Sequence, residues 1–387
     1  MEPNHTVAIV GASLAGLYAA RELARAGRKV YLFEAEPEPR FAPRTLIVTA
    51  ELPRLLGFDP APAVLNRIRV FELFSRGASA RIALLEPDLV VERSRLLELL
   101  LRDATACGAR MQFASPLRDL LQEGKDALLS VEGPGGRLEL PVTTLLGADG
   151  IGSVVADHLG CNRHRRVAIL QARVPRPADC PPDTVRVWFD RASTRFFYWL
   201  IPEGEEFAAF GLIADTPAQA KAALEAALRA QALEPLEYQG ALVPLHPHPG
   251  HPWIRRGQAE IYLAGDAAGQ VKATTVGGVV AGLRGARAAV HAILHRDGQA
   301  AWRGLKHELA LHRLLRAVLD RFTDADYDAL LTHLNGRGRE ILAAHNRDHL
   351  FRLLWKLPAA QAGWAGVAIR AIVRAGGNRL LRFPLPR

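Results

Sequence analysis

Cysteine is scarce in this chain of 387 residues, and long apolar runs are absent. The three cysteines, Cys107, Cys161 and Cys180, are too few and too scattered for a disulfide framework or a cysteine-based metal site. No uninterrupted apolar stretch reaches the roughly 18 residues that a transmembrane helix needs. No basic segment followed by an apolar stretch indicates a signal peptide. We therefore expect a cytoplasmic protein.

Several catalytic patterns are missing as well. The sequence contains no P-loop and no serine, histidine and aspartate pattern typical of nucleophilic hydrolases. His246, His248 and His251 lie close together, but prolines separate them and neither a carboxylate nor a cysteine lies nearby. This segment favours an extended loop, so we expect no metal site. With 49% apolar and 23% charged residues, the composition is that of a globular protein with two or three domains.

The positive charge is concentrated at the C-terminal end. The net charge is +9, yet the last 41 residues alone hold eight basic residues against one acidic residue, Asp348. The basic residues are Arg347, Arg352, Lys356, Arg370, Arg374, Arg379, Arg382 and Arg387. Apolar residues at helical spacing lie between them, which suits an anionic membrane surface. The alternative is a core-packing helix with a solvated basic face. No recognition motif accompanies the charge, so we expect no nucleic-acid partner.

A dinucleotide-binding pattern stands at the N-terminus. Gly11-Ala12-Ser13-Leu14-Ala15-Gly16 follows an apolar strand and opens a helix, and Glu34 ends the next strand. Such a turn places a diphosphate on the free N–H groups of a helix N-terminus, and the acid can accept from a ribose hydroxyl. Ser13 departs from the pattern, because it replaces the glycine that usually lets the diphosphate approach. A simple strand-to-helix turn is the alternative.

Two further motifs each place a carboxylate beside glycines after a strand. They are Gly147-Ala148-Asp149-Gly150 and Gly265-Asp266-Ala267-Ala268-Gly269. In open α/β sheets, ligands bind at this end of the strands. Either aspartate could alone be the cap of a tight turn. The two motifs in this order are more specific than either one.

The order of Gly11 and Gly16, Arg93, Asp149 and Asp266 resembles that of FAD-dependent oxidoreductases with the para-hydroxybenzoate hydroxylase fold. Within that group, the stretch from Gly265 to Gly278 resembles the flavin motif of the geranylgeranyl reductase family, and Phe197-Tyr198-Trp199-Leu200-Ile201-Pro202 resembles its substrate motif. Val276 departs from the family, which often has glycine there. Arg44-Thr45-Leu46-Ile47 lacks the Cys-Gly pair of archaeal members, so chemistry assigned to that cysteine does not carry over.

The resemblance implies a mixed α/β protein with a Rossmann-like FAD-binding domain, a β-sheet substrate domain and a C-terminal helical region. We expect the FAD-binding domain at 1–165, with an insertion from the substrate domain near 45–90. Further expectations are the substrate domain at 166–254, the rest of the FAD-binding domain at 255–300, and the helical region at 301–387. The expected cofactor contacts are Gly11, Ser13, Ala15, Gly16, Glu34, Arg44, Arg93, Asp149, Gly265, Asp266, Gly277 and Gly278.

The implied reaction is the reduction of isoprenoid double bonds on a prenyl lipid or quinone, with hydride supplied by reduced FAD. Gly277-Gly278 would aim backbone N–H groups at the flavin before a helix, where the dipole favours an anion; a turn is the alternative. Phe197, Trp199 and Ile201 share one face of a strand and, with Pro202, would bind substrate, or else pack in a core. No proton donor stands out, and Tyr198 is a candidate although it points away from Trp199.

Other functions remain open at this point. A hydroxylase of the same fold would need NAD(P)H and oxygen, and a lipid-binding flavoprotein would need no turnover. A halogenase is disfavoured, since no lysine lies between Lys29 and Lys125 to supply the active-site lysine of those enzymes. The reductant is NAD(P)H or a ferredoxin. We expect the basic tail to hold the protein on the inner face of the cell membrane.

Overall fold

The computed structural model describes residues 6–39, 41–123, 126–161, 165–245, 253–256, 258–295, 299–334, 336–360 and 362–374. The strands are β1 (Thr6–Val10), β2 (Lys29–Phe33), β3 (Thr45–Val48), β4 (Val64–Phe74), β5 (Ser79–Glu92), β6 (Arg110–Gln112), β7 (Leu117–Glu123), β8 (Asp126–Gly133), β9 (Gly136–Val142), β10 (Thr144–Gly147), β11 (Arg165–Pro175), β12 (Thr184–Trp188), β13 (Tyr198–Pro202), β14 (Phe207–Ala214), β15 (Glu237–Leu245), β16 (Trp253–Arg256) and β17 (Ala259–Leu263). The helices are α1 (Leu14–Arg25), α2 (Glu51–Leu56), α3 (Arg93–Ala106), α4 (Val154–His158), α5 (Pro217–Ala230), α6 (Val279–His295), α7 (Gln299–Leu319), α8 (Asp324–Thr332), α9 (Gly336–Ala344), α10 (Leu350–Ala360) and α11 (Ala362–Arg374).

The chain divides into two compact units, each made of three separate segments. Unit 1 contains residues 1–64, 91–166 and 242–310, and unit 2 contains residues 65–90, 167–241 and 311–387. The expected mixed α/β class is confirmed. The domain boundaries given above stay predictions.

Unit 1 is built on a six-stranded sheet with the order β16-β17-β10-β1-β2-β6. Strands β17, β10, β1, β2 and β6 run parallel, and only β16 is antiparallel to its neighbour. Strand β9 directly precedes β10 but belongs to a separate three-stranded sheet, in which it pairs with β8. Apolar side chains of β7, β8 and β9 pack on Ala8, Val10 and Leu145 of the main sheet. Helix α1 packs against α3 and α6.

Unit 2 contains seven neighbouring strands in the order β15-β11-β14-β13-β12-β4-β5. Helix α5 packs on this sheet through Ala220, Leu224 and Leu228, which meet Leu200 and Phe210 in one apolar core. The C-terminal helices belong to the same unit. Leu331 and Leu334 pack with Ala80 and Ile82 of β5, and Leu350, Leu353 and Leu357 of α10 form a second cluster.

The expected C-terminal helical region contains α7 to α11, and α6 precedes it. Within the described ranges, no helix has the length and apolar character needed to cross a bilayer. Those ranges also contain no group of three or more histidine, cysteine, aspartate or glutamate side chains suited to a metal ion. The histidine-rich segment at 246–251 lies outside them.

Candidate functional site

The three glycine motifs meet at one edge of the unit 1 sheet. In the register of this sheet, Val10 is opposite Gly147, and Gly147 is opposite Leu263. The motifs that begin at Gly11, Gly147 and Gly265 therefore follow three adjacent parallel strands and lie next to one another. Ligands of open α/β sheets bind at this edge.

Close packing explains both glycines of the first motif. A Cβ on Gly11, whose φ is +99°, would lie 2.5 Å from the carbonyl oxygen of Ala148. A Cβ on Gly16 would lie 2.1 Å from the carbonyl oxygen of Gly11. The first motif also reaches the third, because a Cβ on Gly265 would lie 3.2 Å from the Cβ of Ala15. Any larger side chain at Gly11 or Gly16 would push the turn away from its neighbours.

Ser13 has a structural role that explains the departure from glycine. Its φ of −75° and ψ of 171° are extended values that any residue adopts. The hydroxyl accepts a hydrogen bond from the N–H of Gly16 at 3.2 Å, so Ser13 caps the first turn of α1. The backbone therefore does not require glycine here, and the serine satisfies one N–H group of the helix N-terminus.

Glu34 lies directly beside the first motif. One carboxylate oxygen accepts a hydrogen bond from the N–H of Ala12 at 2.6 Å, and the other accepts from the N–H of Glu36 at 3.1 Å. These bonds fix the carboxylate at the end of β2. It retains acceptor capacity for a hydroxyl group, as expected of a ribose-binding acid.

Arg44 and Arg93 are held together by their backbones. The N–H of Arg93 donates to the carbonyl of Arg44 at 2.9 Å, and the N–H of Arg44 donates to the Glu92 carboxylate at 3.1 Å. The same carboxylate accepts from the N–H groups of Ser94 and Arg95 and so caps α3. Glu92 was not among the expected site residues. Its position before a helix was the available sequence signal.

These two arginines act electrostatically on one carboxylate, Asp266. Burial, and then the charge of Arg93, lower the pKa of Arg44 to about 10, while Asp266 opposes the shift. Burial raises the pKa of Asp266, and both arginines oppose that shift. Arg44 is still charged at neutral pH, so two guanidinium charges face at most one carboxylate charge. Such an excess suits an anionic ligand.

Asp149 is used as a helix cap. Its carboxylate accepts from the hydroxyl of Ser153 at 2.5 Å and from the N–H of Val154 at 2.8 Å, at the start of α4. Burial raises the pKa of Asp149, and these bonds oppose the rise. The alternative of a capping aspartate thus describes its observed contacts. Its contact with the cofactor stays a prediction.

The third motif forms a tightly closed turn before α6. Gly265 has a φ of +66°, and its N–H donates to the buried side chain of Gln270 at 2.8 Å. Gly277 and Gly278 stand immediately before α6, as expected. Val276, directly before Gly277, has a φ of +54°, which a β-branched residue rarely adopts. This geometry explains why the family often has glycine at that position.

Of the expected substrate residues in unit 2, Trp199, Ile201 and Pro202 lie on β13, and Phe197 lies directly before it. The rings of Phe197 and Trp199 meet edge to face, with centroids 6.0 Å apart, so they share one side as expected. Tyr198 stacks on Phe210 at 6.2 Å in the core beside α5. Ile201 and Pro202 are buried. Burial raises the pKa of Tyr198, and its part as proton donor stays a prediction.

An aromatic row extends this side of the sheet. Phe189 contacts Phe197 at 6.3 Å and stacks on Tyr327 of α8 at 4.5 Å. We call Trp199, Phe197, Phe189 and Tyr327 the aromatic row. No sequence pattern connected Tyr327 with the substrate motif, because the two are far apart in the chain.

Two glutamines that the sequence did not single out hold Trp199. The indole N–H of Trp199 donates to Gln171 at 3.2 Å, and the Gln171 amide donates to Gln239 at 2.8 Å. Gly211 makes room for the indole, because a Cβ there would lie 2.8 Å from Cζ2 of Trp199. Buried, fully bonded polar groups of this kind fix a ring in one orientation.

The residues of unit 1 fit FAD. The Nε of Arg44 is buried and has no hydrogen-bond partner among the described residues. The Arg44 side chain can therefore donate a hydrogen bond to an anionic ligand, at a place where the charges of Arg44 and Arg93 exceed that of Asp266. The N-terminus of α1, a helix of 12 residues, is a site that attracts phosphate. Glu34 supplies the acceptor that an adenosine ribose needs.

We expect Arg44→Met to weaken FAD binding by about 10- to 100-fold, because losing a hydrogen bond to a charged group costs about 1.5–3 kcal/mol. FAD fluorescence quenching by the apo-protein measures the dissociation constant. Arg81→Met, which changes an exposed arginine of β5, is the control and should bind FAD as the wild type does. Equal affinity of both variants would remove Arg44 from the cofactor site.

Similarity to known proteins agrees with this geometry. The chain is 28% identical over 383 residues to digeranylgeranylglycerophospholipid reductase 2 of Methanothermobacter thermautotrophicus, covering 92% of this chain and 97% of the relative. Its fold is similar to that of a geranylgeranyl bacteriochlorophyll reductase-like protein from Thermoplasma acidophilum, with a TM-score of 0.77, 18% identity, and coverage of 94% and 99%. It is also similar to the flavin-dependent halogenase CmlS, with a TM-score of 0.69, 17% identity, and coverage of 97% and 78%.

The two structural neighbours, at these identities, show the fold alone. The sequence family described as the FAD binding domain matches residues 4–305, which is most of the chain. The chain therefore belongs to the FAD-binding domain family, FAD is its cofactor, and the resemblance of this oxidoreductase to geranylgeranyl reductases is confirmed.

Proposed function

We propose that this protein reduces carbon–carbon double bonds of isoprenoid chains, carried by a prenyl lipid or quinone, with FAD as its cofactor. The aromatic row is the observation that carries the proposal. Its four rings contact one another in sequence beside β13; Phe189 and Phe197 are half-buried, and Trp199 and Tyr327 are buried. A relative that matches almost end to end is named as a reductase of digeranylgeranylglycerophospholipids.

FAD, when bound and reduced, supplies hydride. The protein supplies orientation and a dry environment. Arg44 and Arg93 would hold the anionic part of the cofactor, and Glu34 would hold its adenosine ribose. Gln171 fixes the indole of Trp199, which gives the prenyl chain a rigid wall. Tyr198 remains a candidate proton donor, although its ring stacks on Phe210, away from Trp199.

The halogenase-like fold neighbour does not displace this proposal. Halogenases of this kind use a lysine after the dinucleotide motif, and this chain has none between Lys29 and Lys125. The physiological reductant is NAD(P)H or a ferredoxin.

Dithionite-reduced protein, incubated without oxygen with a digeranylgeranyl phospholipid or a prenylated quinone, should give products that are heavier by one or more pairs of hydrogens. The reason is that each reduced double bond gains one hydride and one proton. Mass spectrometry of the extracted lipid measures the product. Enzyme without dithionite is the control.

A second incubation with NAD(P)H and oxygen separates the alternatives. Oxygenated products in place of hydrogenated ones would establish a hydroxylase and overturn the reductase. Lipid that binds to the protein and is recovered unchanged under both conditions would establish a lipid-binding flavoprotein.

We further propose that the C-terminal helices hold the protein on an anionic membrane surface. Phe351 and Trp355 of α10 lie one turn apart and are 62% and 79% exposed. Arg352 and Lys356 are exposed beside them. On α11, Ile369 and Val373 are likewise exposed and one turn apart. Large apolar side chains next to basic ones are typical of helices that lie in the membrane interface.

Part of the basic tail is neutralised within unit 2. Arg347 pairs with Asp88, and Arg374 pairs with Asp326 at 2.7 Å. Arg379, Arg382 and Arg387 lie outside the described residues. The membrane proposal therefore depends on the apolar side chains and their exposed basic neighbours more than on the charge of the whole tail.

Phe351→Ser combined with Trp355→Ser should reduce binding to phosphatidylglycerol vesicles by about tenfold or more, because burying one such side chain contributes roughly 1.5–3 kcal/mol. Co-sedimentation with the vesicles measures binding. Leu85→Ser combined with Tyr238→Ser, at residues that are 75% and 51% exposed elsewhere in unit 2, is the matched control. Equal binding by both double variants would refute the membrane proposal.

A further inference from the structure

We propose that Lys272 contacts the bound flavin at the Gly277–Gly278 turn and stabilises the negative charge of its reduced form. Lys272 is therefore assigned as a residue that sets the midpoint potential of the cofactor. The inference rests on FAD binding and on the expected place of the flavin at this turn. It does not depend on which substrate the protein reduces.

Lys272 is unusual because its side chain is buried. Only 7% of the residue is exposed, which is uncommon for a lysine. It lies between the third glycine motif and the Gly277–Gly278 turn, seven residues after Gly265. The reduced flavin of an oxidoreductase can carry a negative charge on its pyrimidine ring, and an ammonium group is a suitable partner for that charge.

The ammonium group lies against the turn before α6. A Cβ placed on Gly277 would be 3.2 Å from Cε and 3.6 Å from Nζ of Lys272. The same position would be 3.4 Å from the hydroxyl oxygen of Thr275. That hydroxyl is buried and finds no hydrogen-bond partner among the described residues. The Lys272 ammonium group and the Thr275 hydroxyl thus both lie beside Gly277. Because glycine has no side chain, a ligand can approach the backbone closely there.

The backbone holds Lys272 in this position. Its N–H donates to the carbonyl of Gly277 at 3.1 Å, and its carbonyl accepts from the N–H of Val276 at 2.8 Å. The loop is thereby closed on itself, and Val276 adopts its positive φ within it. Residues held in such conformations cluster at functional sites, where the surrounding structure fixes them.

More basic than acidic side chains lie around the turn. Asp266 packs against Gly278, since a Cβ on Gly278 would be 3.2 Å from a carboxylate oxygen of Asp266. Arg44 and Arg93 already act on that carboxylate. The charge of Lys272 therefore adds to an environment that is positive overall, and the N-terminus of α6 adds to it in the same sense.

Lys272→Met should make the bound flavin harder to reduce. We expect the ratio of reduced to oxidised flavin at a fixed potential to fall about tenfold, which is about 30 mV for a two-electron couple. The midpoint potential of the purified holoprotein is measured by slow anaerobic reduction beside a reference dye. Lys272→Arg should retain most of the wild-type potential, because it keeps the charge.

Lys221→Met, at an exposed position of α5, is the control and should leave the potential unchanged. A wild-type potential in Lys272→Met would overturn the proposal. If Lys272→Met binds no FAD, the Arg variant decides: FAD retained with arginine supports the charge, and FAD lost in both variants assigns Lys272 to packing alone.

The two proposals can fail separately. Hydrogenation of prenyl lipids by a wild-type protein whose potential is insensitive to Lys272 would leave the function standing without this inference. A shifted potential in a protein that hydrogenates no prenyl lipid would leave this inference standing without the function.

Discussion

The cofactor site depends on one electrostatic interaction, in which two half-buried arginines face a single carboxylate. Arg44 and Arg93 are joined through their backbones, and Glu92 fixes that junction by capping α3. Asp266 alone cannot balance both guanidinium groups. Burial makes the imbalance costly in the absence of a further anion. A diphosphate supplies that anion, so FAD binding and the local fold support each other.

Close packing of glycine turns sets where this charge lies. Three adjacent parallel strands end in glycine motifs, and the turns approach to distances that no Cβ would permit. Because Gly11 meets Ala148 and Gly265 meets Ala15, each turn fixes the next. The edge of the sheet is therefore shaped before any ligand binds, which lowers the cost of ordering the site on binding.

Local patterns in the sequence predicted much of this site, because glycines, capping residues and strand ends lie close together in the chain. The first motif, Glu34 and the glycines before α6 are in this group. Sequence reasoning passed over Gln171, Tyr327 and Lys272. The first two meet Trp199 and Phe189 only through pairing and packing of distant segments. The importance of Lys272 comes from its burial, which no local pattern of polar residues predicts.

The tail illustrates the same limit. Its charge and apolar spacing were visible; the core-packing interpretation describes part of it, and the membrane interpretation stays a proposal. Leu350, Leu353 and Leu357 pack in a core, whereas Phe351 and Trp355 on the same helix are exposed. Ion pairs of Arg347 and Arg374 with distant aspartates could not be read from spacing.

The most direct measurement is a comparison of FAD and riboflavin binding by the apo-protein, followed by fluorescence. If the arginine pair and the helix N-terminus bind the diphosphate, FAD should bind at least about 100-fold more tightly, since each lost hydrogen bond to a charged group costs about 1.5–3 kcal/mol. Equal affinity for the two flavins would contradict the assignment of Arg44, Arg93 and the first glycine motif to the cofactor.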